Sequence, residues 1–287
     1  MKTRILVVVA AMMLLFSCAE KRTNPLIQNL DNSWIVTTDT LDIKMQVDIP
    51  SVIQADMYEN GLIPHPYKSN IEPQLHWIPQ HEWTYTLDFN AEDYILNEDV
   101  VELVFEGLDT YADVWFNGEH ILYSDNMFRT YSCNVKNLIK EKNNIKIKFH
   151  PFDKVRDSLI ETYPLRFPEK YAVMRKAAYQ NGWDWAPRYM NMGIWQPVYL
   201  KAWTHSTISS ASVITTDIQD NKAQLAFEVC VDADEKHEIT LQLFENNSKI
   251  IDETIELDEG KNYHSFPFEI SDPKLWYPNE LGEQNMY

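Results

Sequence analysis

The chain has 287 residues and a formal net charge of −18 at pH 7, from 43 Asp and Glu against 25 Lys and Arg. A surface this acidic argues against nucleic acid and against anionic lipid head groups as partners, and it is compatible with neutral glycans. Aromatic residues make up 13% of the chain and glycines number only 7, which favours aromatic-filled β-sandwiches over a nucleotide-binding α/β fold. No glycine-rich phosphate loop is visible, and the length suggests about two domains.

At the N terminus Lys2 and Arg4 precede an unbroken apolar run from Ile5 to Phe16, followed by Ser17-Cys18. A charged region, a short apolar run and a small residue before a cleavage point make a signal peptide, residues 1–17. The run is too short for a membrane span, which needs roughly 20 apolar residues. Leu15-Phe16-Ser17-Cys18 resembles a bacterial lipobox. That resemblance implies lipidation at Cys18, a polar tether over 18–25, and an exported protein, periplasmic or outer-membrane attached, that meets the membrane only through its anchor. Ordinary cleavage nearby, with Cys18 a bystander, is the alternative. Cys133 and Cys230 fall in different expected domains and read as free thiols.

From about residue 26 to 203 the pattern is that of short strands. Trp83, Tyr85, Leu87 and Phe89 alternate with polar residues over a half-buried strand. Val100 to Phe105 is apolar on both sides, as a central strand is. Asn117-Gly118, between two apolar runs, is a strong hairpin signal because both residues tolerate positive φ. Ile145, Ile147 and Phe149 alternate with lysines, and Pro197 to Trp203 closes the set. Asp153 to Tyr163 breaks this period. Asp153 is the expected N-cap, Val155, Leu159 and Tyr163 recur at helical spacing, and Pro164 and Pro168 are expected to end the helix.

A long loop then leads through Arg175-Lys176 into Gly182-Trp183-Asp184-Trp185-Ala186-Pro187-Arg188. The apolar C–H face of a pyranose stacks on indole, and a carboxylate accepts from two neighbouring hydroxyls at once. Trp183, Asp184 and Trp185 are therefore candidate sugar contacts. Tryptophan is also a common core residue, and Asp a common turn-former, so the residues alone leave both readings open. Arg175-Lys176 reads equally well as a ligand contact or as a solvated or salt-bridged pair. Asp109 and Asp113 read as turn and loop hydrogen-bonders, and Gly107 and Gly118 as turn residues.

From 204 to 287 the alternations Ala223 to Val231 and Ile239 to Leu243, with Ile255-Leu257 and Tyr263 to Ile270, mark a second set of strands. Asn246-Asn247 and Asp258-Glu259-Gly260 are the expected turns between them. This set reads as an immunoglobulin-like sandwich. The expected fold class is all-β: a jelly roll at 26–203 and a partial immunoglobulin-like sandwich at 204–287.

Met174-Arg175-Lys176-Ala177, Gly182 to Arg188 and Gly193-Ile194-Trp195-Gln196-Pro197-Val198 together resemble the signature of β-mannosidases in glycoside hydrolase family 2. Ile63 to Tyr67, Phe105 to Val114 and Asn126 to Arg129 are similar to the galactose-binding-like jelly-roll domain of the same family. The resemblance implies that a loop of this domain covers the mouth of a catalytic (β/α)₈ barrel and that Asp184 helps hold a terminal β-mannose. It also implies a retaining mechanism with two glutamates in the barrel, no cofactor, and a β-mannoside glycan as substrate.

Such a barrel takes about 250 residues, and too few follow Leu200 to build one. The expectation is an N-terminal piece of an exo-acting enzyme, inactive without the barrel, and no residue here is assigned a catalytic or metal-binding role. Asn97-Glu98 and Asn279-Glu280 mimic the family's Asn-Glu acid/base but sit in expected loops. Gln54, Ala178, Ala186 and Glu280 depart from the family pattern. The rival readings are a non-catalytic glycan-binding lipoprotein and another specificity of the same family.

Overall fold

A computed structural model describes residues 25–163 and 170–287. Cys18, the apolar leader, Pro164 and Pro168 lie outside these residues. No helix among the described residues is long and apolar enough to cross a membrane.

The first sandwich contains twelve strands: β1 (Leu26–Asn29), β2 (Trp34–Thr37), β3 (Lys44–Val47), β4 (Trp83–Asn90), β5 (Val100–Phe105), β6 (Leu108–Asp109), β7 (Ala112–Phe116), β8 (Glu119–Ser124), β9 (Tyr131–Asn134), β10 (Lys142–Phe149), β11 (Gly193–Ile194) and β12 (Val198–Trp203). They form a six-stranded sheet in the order β3-β2-β4-β10-β7-β8, a four-stranded sheet β1-β12-β5-β9 and a short pair β11-β6. The antiparallel register sets Tyr85 opposite Ile147 and Ile147 opposite Val114, so period-two side chains share one face. Trp34, Trp83, Tyr85, Phe105, Phe116 and Phe149 fill the space between the large sheets, each fully buried. Fully burying one such aromatic removes 150–250 Å² from water, roughly 4–6 kcal/mol at 25 cal/mol per Å².

The Asn117-Gly118 turn has φ of 52° and 88° and joins β7 to β8, as its residue types require. Gly107 does more than turn the chain. A Cβ there would meet Trp195 Nε1 at 2.5 Å, so its bare backbone makes room for an indole that donates to Met127 O at 3.1 Å.

Among the described residues three α-helices decorate the sandwich: α1 (Ile53–Glu59), α2 (Asp93–Leu96) and α3 (Phe152–Thr162). Helix α3 occupies the expected stretch, but its N-cap is Pro151. Asp153 lies inside the first turn and pairs with Arg156. The strands β1 to β3 and helix α1 have no clear period in sequence. Each strand is only four residues long, too short for alternation to stand out.

Helix α1 carries Asp56, 2% exposed, whose carboxylate accepts from Ser51 Oγ at 2.5 Å and Tyr85 Oη at 3.1 Å. Burial pushes its pKa up to about 6 from 3.8, against the pull of those two bonds. A folded pKa above the unfolded one means stability that is complete below pH 3.8 and is lost as pH rises through about 6. We expect Asp56→Asn to gain about 2.5 kcal/mol on the parent chain between pH 4 and pH 7 in urea unfolding. A gap between the two proteins that stays constant with pH would show that Asp56 is ionised in its burial site throughout.

After the turn at Thr204-His205 come β13 (Ser206–Gln219), β14 (Lys222–Ala233), β15 (His237–Glu245), β16 (Ser248–Leu257) and β17 (Gly260–Ser271). They make one sheet of three strands, β13-β14-β17, and one of two, β15-β16. Their separate core is Phe227, Val229, Val231, Leu241, Ile251 and Leu257. The expected turns are present, with Asn246 and Asn247 at φ of 46° and 69° and Gly260 at 97°. Strand β13 is exposed over nearly its whole length, and an apolar groove lined by Leu225, Leu243, Phe268, Ile270 and Trp276 stays open beside it.

Candidate functional site

The loop from Lys176 to Asn191 begins and ends on the first sandwich. Its entering leg lies beside residues 126–127, where Met127 N donates to Arg175 O at 3.0 Å and Ala177 N points to Met127 Sδ at 3.1 Å. Its leaving leg is stitched to α1: Gln54 Nε2 donates to Met190 O, Ile53 N to Met192 O and Ser51 N to Ile194 O, all at 2.9 Å. Midway along, Arg188 N donates to Glu72 Oε1 at 2.9 Å, and Tyr189 packs edge-on against Tyr67.

Between these anchors the chain doubles back. Gly182, at φ 93°, opens a tight turn in which Trp183 N donates to Ala186 O and Ala186 N donates to Trp183 O, both at 3.1 Å. Asp184 and Trp185 therefore stand at the tip of a two-residue turn. Trp183 is 60% exposed and Trp185 71%, with the Trp185 ring tilted over Tyr179 at 5.9 Å. Asp184 is exposed, and its carboxylate has no hydrogen-bond partner among the described residues. None of the three side chains belongs to the hydrophobic core. The turn exposes two indoles and a carboxylate without a partner from three successive residues, groups able to stack on a flat apolar face and to accept from adjacent hydroxyls.

The structure separates Arg175 from Lys176. Arg175 is exposed, while Lys176 is buried at 6% exposure and paired with Asp109, whose side chain is 1% exposed. Asp109 was expected to be a turn hydrogen-bonder and is instead half of a buried ion pair. It also accepts from Thr110 Oγ1 and from Gln180 Nε2, the latter at 3.3 Å. Burial drives the Lys176 ammonium down to about 8, with Asp109 opposing the shift. Asp113, expected in a turn or loop, lies within strand β7 and is a hydrogen-bonder there, accepting from His120 Nε2 at 2.6 Å and His150 Nε2 at 2.8 Å. Gln180 carries no motif in sequence; a polar residue two places before the Gly-Trp-Asp-Trp run was the only available signal.

The two Asn-Glu pairs are remote from this geometry in character. Asn97 caps the end of α2, and Glu280, at φ 68°, is a turn residue. Arg129 lies over the Tyr131 ring at 5.4 Å, a bracing contact. His205, Asp234 and Glu235 bring ligand atoms within 4.8 Å of one another, but His205 and Glu235 are exposed. Asp234 accepts the His205 amide on Oδ2 at 3.1 Å.

Residues 29–196 match the family model described as the glycosyl hydrolase 2 galactose-binding domain-like, and residues 207–287 match the one described as glycosyl hydrolases family 2. Beta-mannosidase B of Thermothelomyces thermophilus is 30% identical over 90% of this chain and 31% of its own length. Beta-mannosidase A of Aspergillus aculeatus is 27% identical over 88% of this chain and 30% of its own length. The chain thus spans about a third of the curated relatives it matches.

Among solved structures, the beta-D-mannosidase of Dictyoglomus thermophilum superposes with a TM-score of 0.84 at 29% identity, over 91% of this chain and 33% of that one. An exo-chitosanase of Amycolatopsis orientalis superposes at 0.70 with 19% identity over 90% of this chain and 30% of that one, a likeness of fold alone. With both of its sandwiches matched by models of one family, the chain belongs to glycosyl hydrolase family 2.

Proposed function

We propose that this chain is the N-terminal part of a β-mannosidase acting on terminal, non-reducing β-D-mannose, and that it supplies one wall of the mannose pocket. The observation that carries the reading is the Trp183-Asp184-Trp185 turn, whose large apolar rings face solvent and whose carboxylate has no structural duty. Exposing two indoles is unfavourable unless something covers them, and exposed aromatic patches mark binding surfaces. The relatives named β-mannosidase support mannose as the sugar.

The turn binds and does not by itself cleave. A retaining glycosidase places two carboxyl groups about 5–5.5 Å apart across the glycosidic bond. The tip offers a single carboxylate, and Glu72, in the 3₁₀ turn Glu72–Leu75 that supports the loop, is engaged by the Arg188 amide and by His76. The reading assigns the reacting carboxylates to a catalytic barrel, in keeping with relatives about three times as long as this chain.

The test is substrate preference. The enzyme containing this chain should turn over an aryl β-mannoside with a kcat/KM at least about tenfold above the matching β-glucoside and β-galactoside, one well-placed hydrogen bond being worth that much. A higher value on either of these two glycosides would move the chain to another specificity within its family.

A further inference from the structure

We propose that Lys176 and Asp109 form a buried clasp that closes the base of the Trp183–Trp185 loop and fixes where its tip stands, which makes them positioning residues for the sugar-facing turn. Four groups meet at this point from separate parts of the chain. Asp109 comes from β6, the short strand paired with β11. Lys176 lies on the loop's entering leg, Gln180 sits in the 3₁₀ turn Ala178–Asn181 just before the tip, and Asn191 lies on the leaving leg.

Lys176 Nζ bonds to Asp109 Oδ1 and donates to Asn191 O at 2.6 Å. Gln180 donates through Nε2 to Asp109 Oδ2 at 3.3 Å and accepts the Asn191 amide on Oε1 at 3.1 Å. Both legs and the turn between them are thereby tied to one carboxylate on the rigid sandwich. The Phe152 ring covers the ammonium at 4.4 Å and completes its seclusion from water.

A buried ion pair is a poor way to gain stability. Apolar or neutral side chains of the same shape do as well, because taking two charges out of water offsets their attraction. What charge adds is direction. An ammonium that must satisfy a carboxylate and a carbonyl at once allows one arrangement of the two legs, and a loop that presents binding groups needs a single arrangement. The tip supplies none of this order itself, since its own bonds are the two between Trp183 and Ala186. The value of the clasp to sugar binding rests on the reading of Asp184 given above, whereas its hold on the loop can be measured with no sugar present.

The experiment compares the parent chain with the double variant Lys176→Met/Asp109→Asn, which removes both charges at nearly constant volume and strands neither. Amide hydrogen exchange of residues 182–191 should accelerate by roughly tenfold or more, while β4, β5 and β10 keep their protection and the melting temperature stays within a few degrees. In the enzyme containing the chain, kcat/KM on the aryl β-mannoside should fall by about 10- to 100-fold, the effect of moving a binding group by around an ångström.

Loop exchange unchanged from the parent would overturn the clasp. So would a loosened loop with full kcat/KM, provided Asp184→Ala impairs the same assay. If Asp184→Ala has no kinetic effect, the sugar reading fails, and the exchange data alone decide whether the clasp holds the loop. Should the double variant not fold, Gln180→Ala cuts the second tie without touching either charge. Its loop must then exchange faster than the parent's for the clasp to stand.

Discussion

In the enzyme proposed to contain this chain, replacing Asp184 by Ala should lower kcat/KM on an aryl β-mannoside by roughly 10- to 150-fold, with the melting temperature held within about 2 °C. The kinetic figure follows from losing one charge-assisted hydrogen bond to a sugar hydroxyl, about 1.5–3 kcal/mol. The thermal figure follows from the environment of the residue, which is exposed, at the tip of a turn, with no partner among the described residues. Substitutions at such sites are usually worth no more than about 0.5 kcal/mol. The Trp183–Ala186 backbone bonds do not involve the carboxylate, so the turn should survive its removal. A fall in melting temperature with normal kinetics would make Asp184 a fold residue, contrary to its exposure.

Lys176→Met is the opposite case, a substitution whose expected effect falls on stability. It should cost about 3–5 kcal/mol of unfolding free energy, the range for a buried charge left without its counter-ion. Met keeps the volume of Lys and its contact with Phe152, so the loss measures the stranded Asp109 carboxylate and the lost bond to Asn191 O, with little cavity. Thr110 and Gln180 still donate to Asp109, which limits the damage without neutralising it. Adding Asp109→Asn should recover most of the loss, because the charge that needed a partner is gone. Urea unfolding of the two single variants and the double one gives the coupling directly. A single-variant loss under about 1 kcal/mol would mean that water reaches Asp109, and the pair would then be no more than a surface bridge.

Much of the fold was legible because it depends on short-range order. Alternation along Trp83–Phe89 and Ile145–Phe149 encodes which face is buried, and a two-residue Asn-Gly encodes a turn that few other residues accept. These signals need no knowledge of what lies across the sheet. The four-residue strands before residue 50 carry no such period, and they are strands because distant neighbours supply their hydrogen bonds, β12 for β1 and β4 for the β2–β3 pair. Helix α3 was legible in extent and misread at its start, since Pro151 and Asp153 are both plausible first-turn residues and the exit of β10 decides between them.

The site divides in the same way. Residue types and spacing along the sequence marked Gly182 to Arg188 as a candidate sugar-contact stretch and determined that the chain is all-β, and resemblance identified the family to which it belongs. Sequence could not decide whether two tryptophans face the core or solvent, nor which of Arg175 and Lys176 is a surface charge. Both depend on what packs above them, and only the folded loop puts Trp183 and Trp185 outside and Lys176 within. The Lys176–Asp109 pair joins residues 67 positions apart through a space that neither leg encloses alone. Burial is a property of the whole set of neighbours, and so the groups that hold the turn in place came into view only in three dimensions.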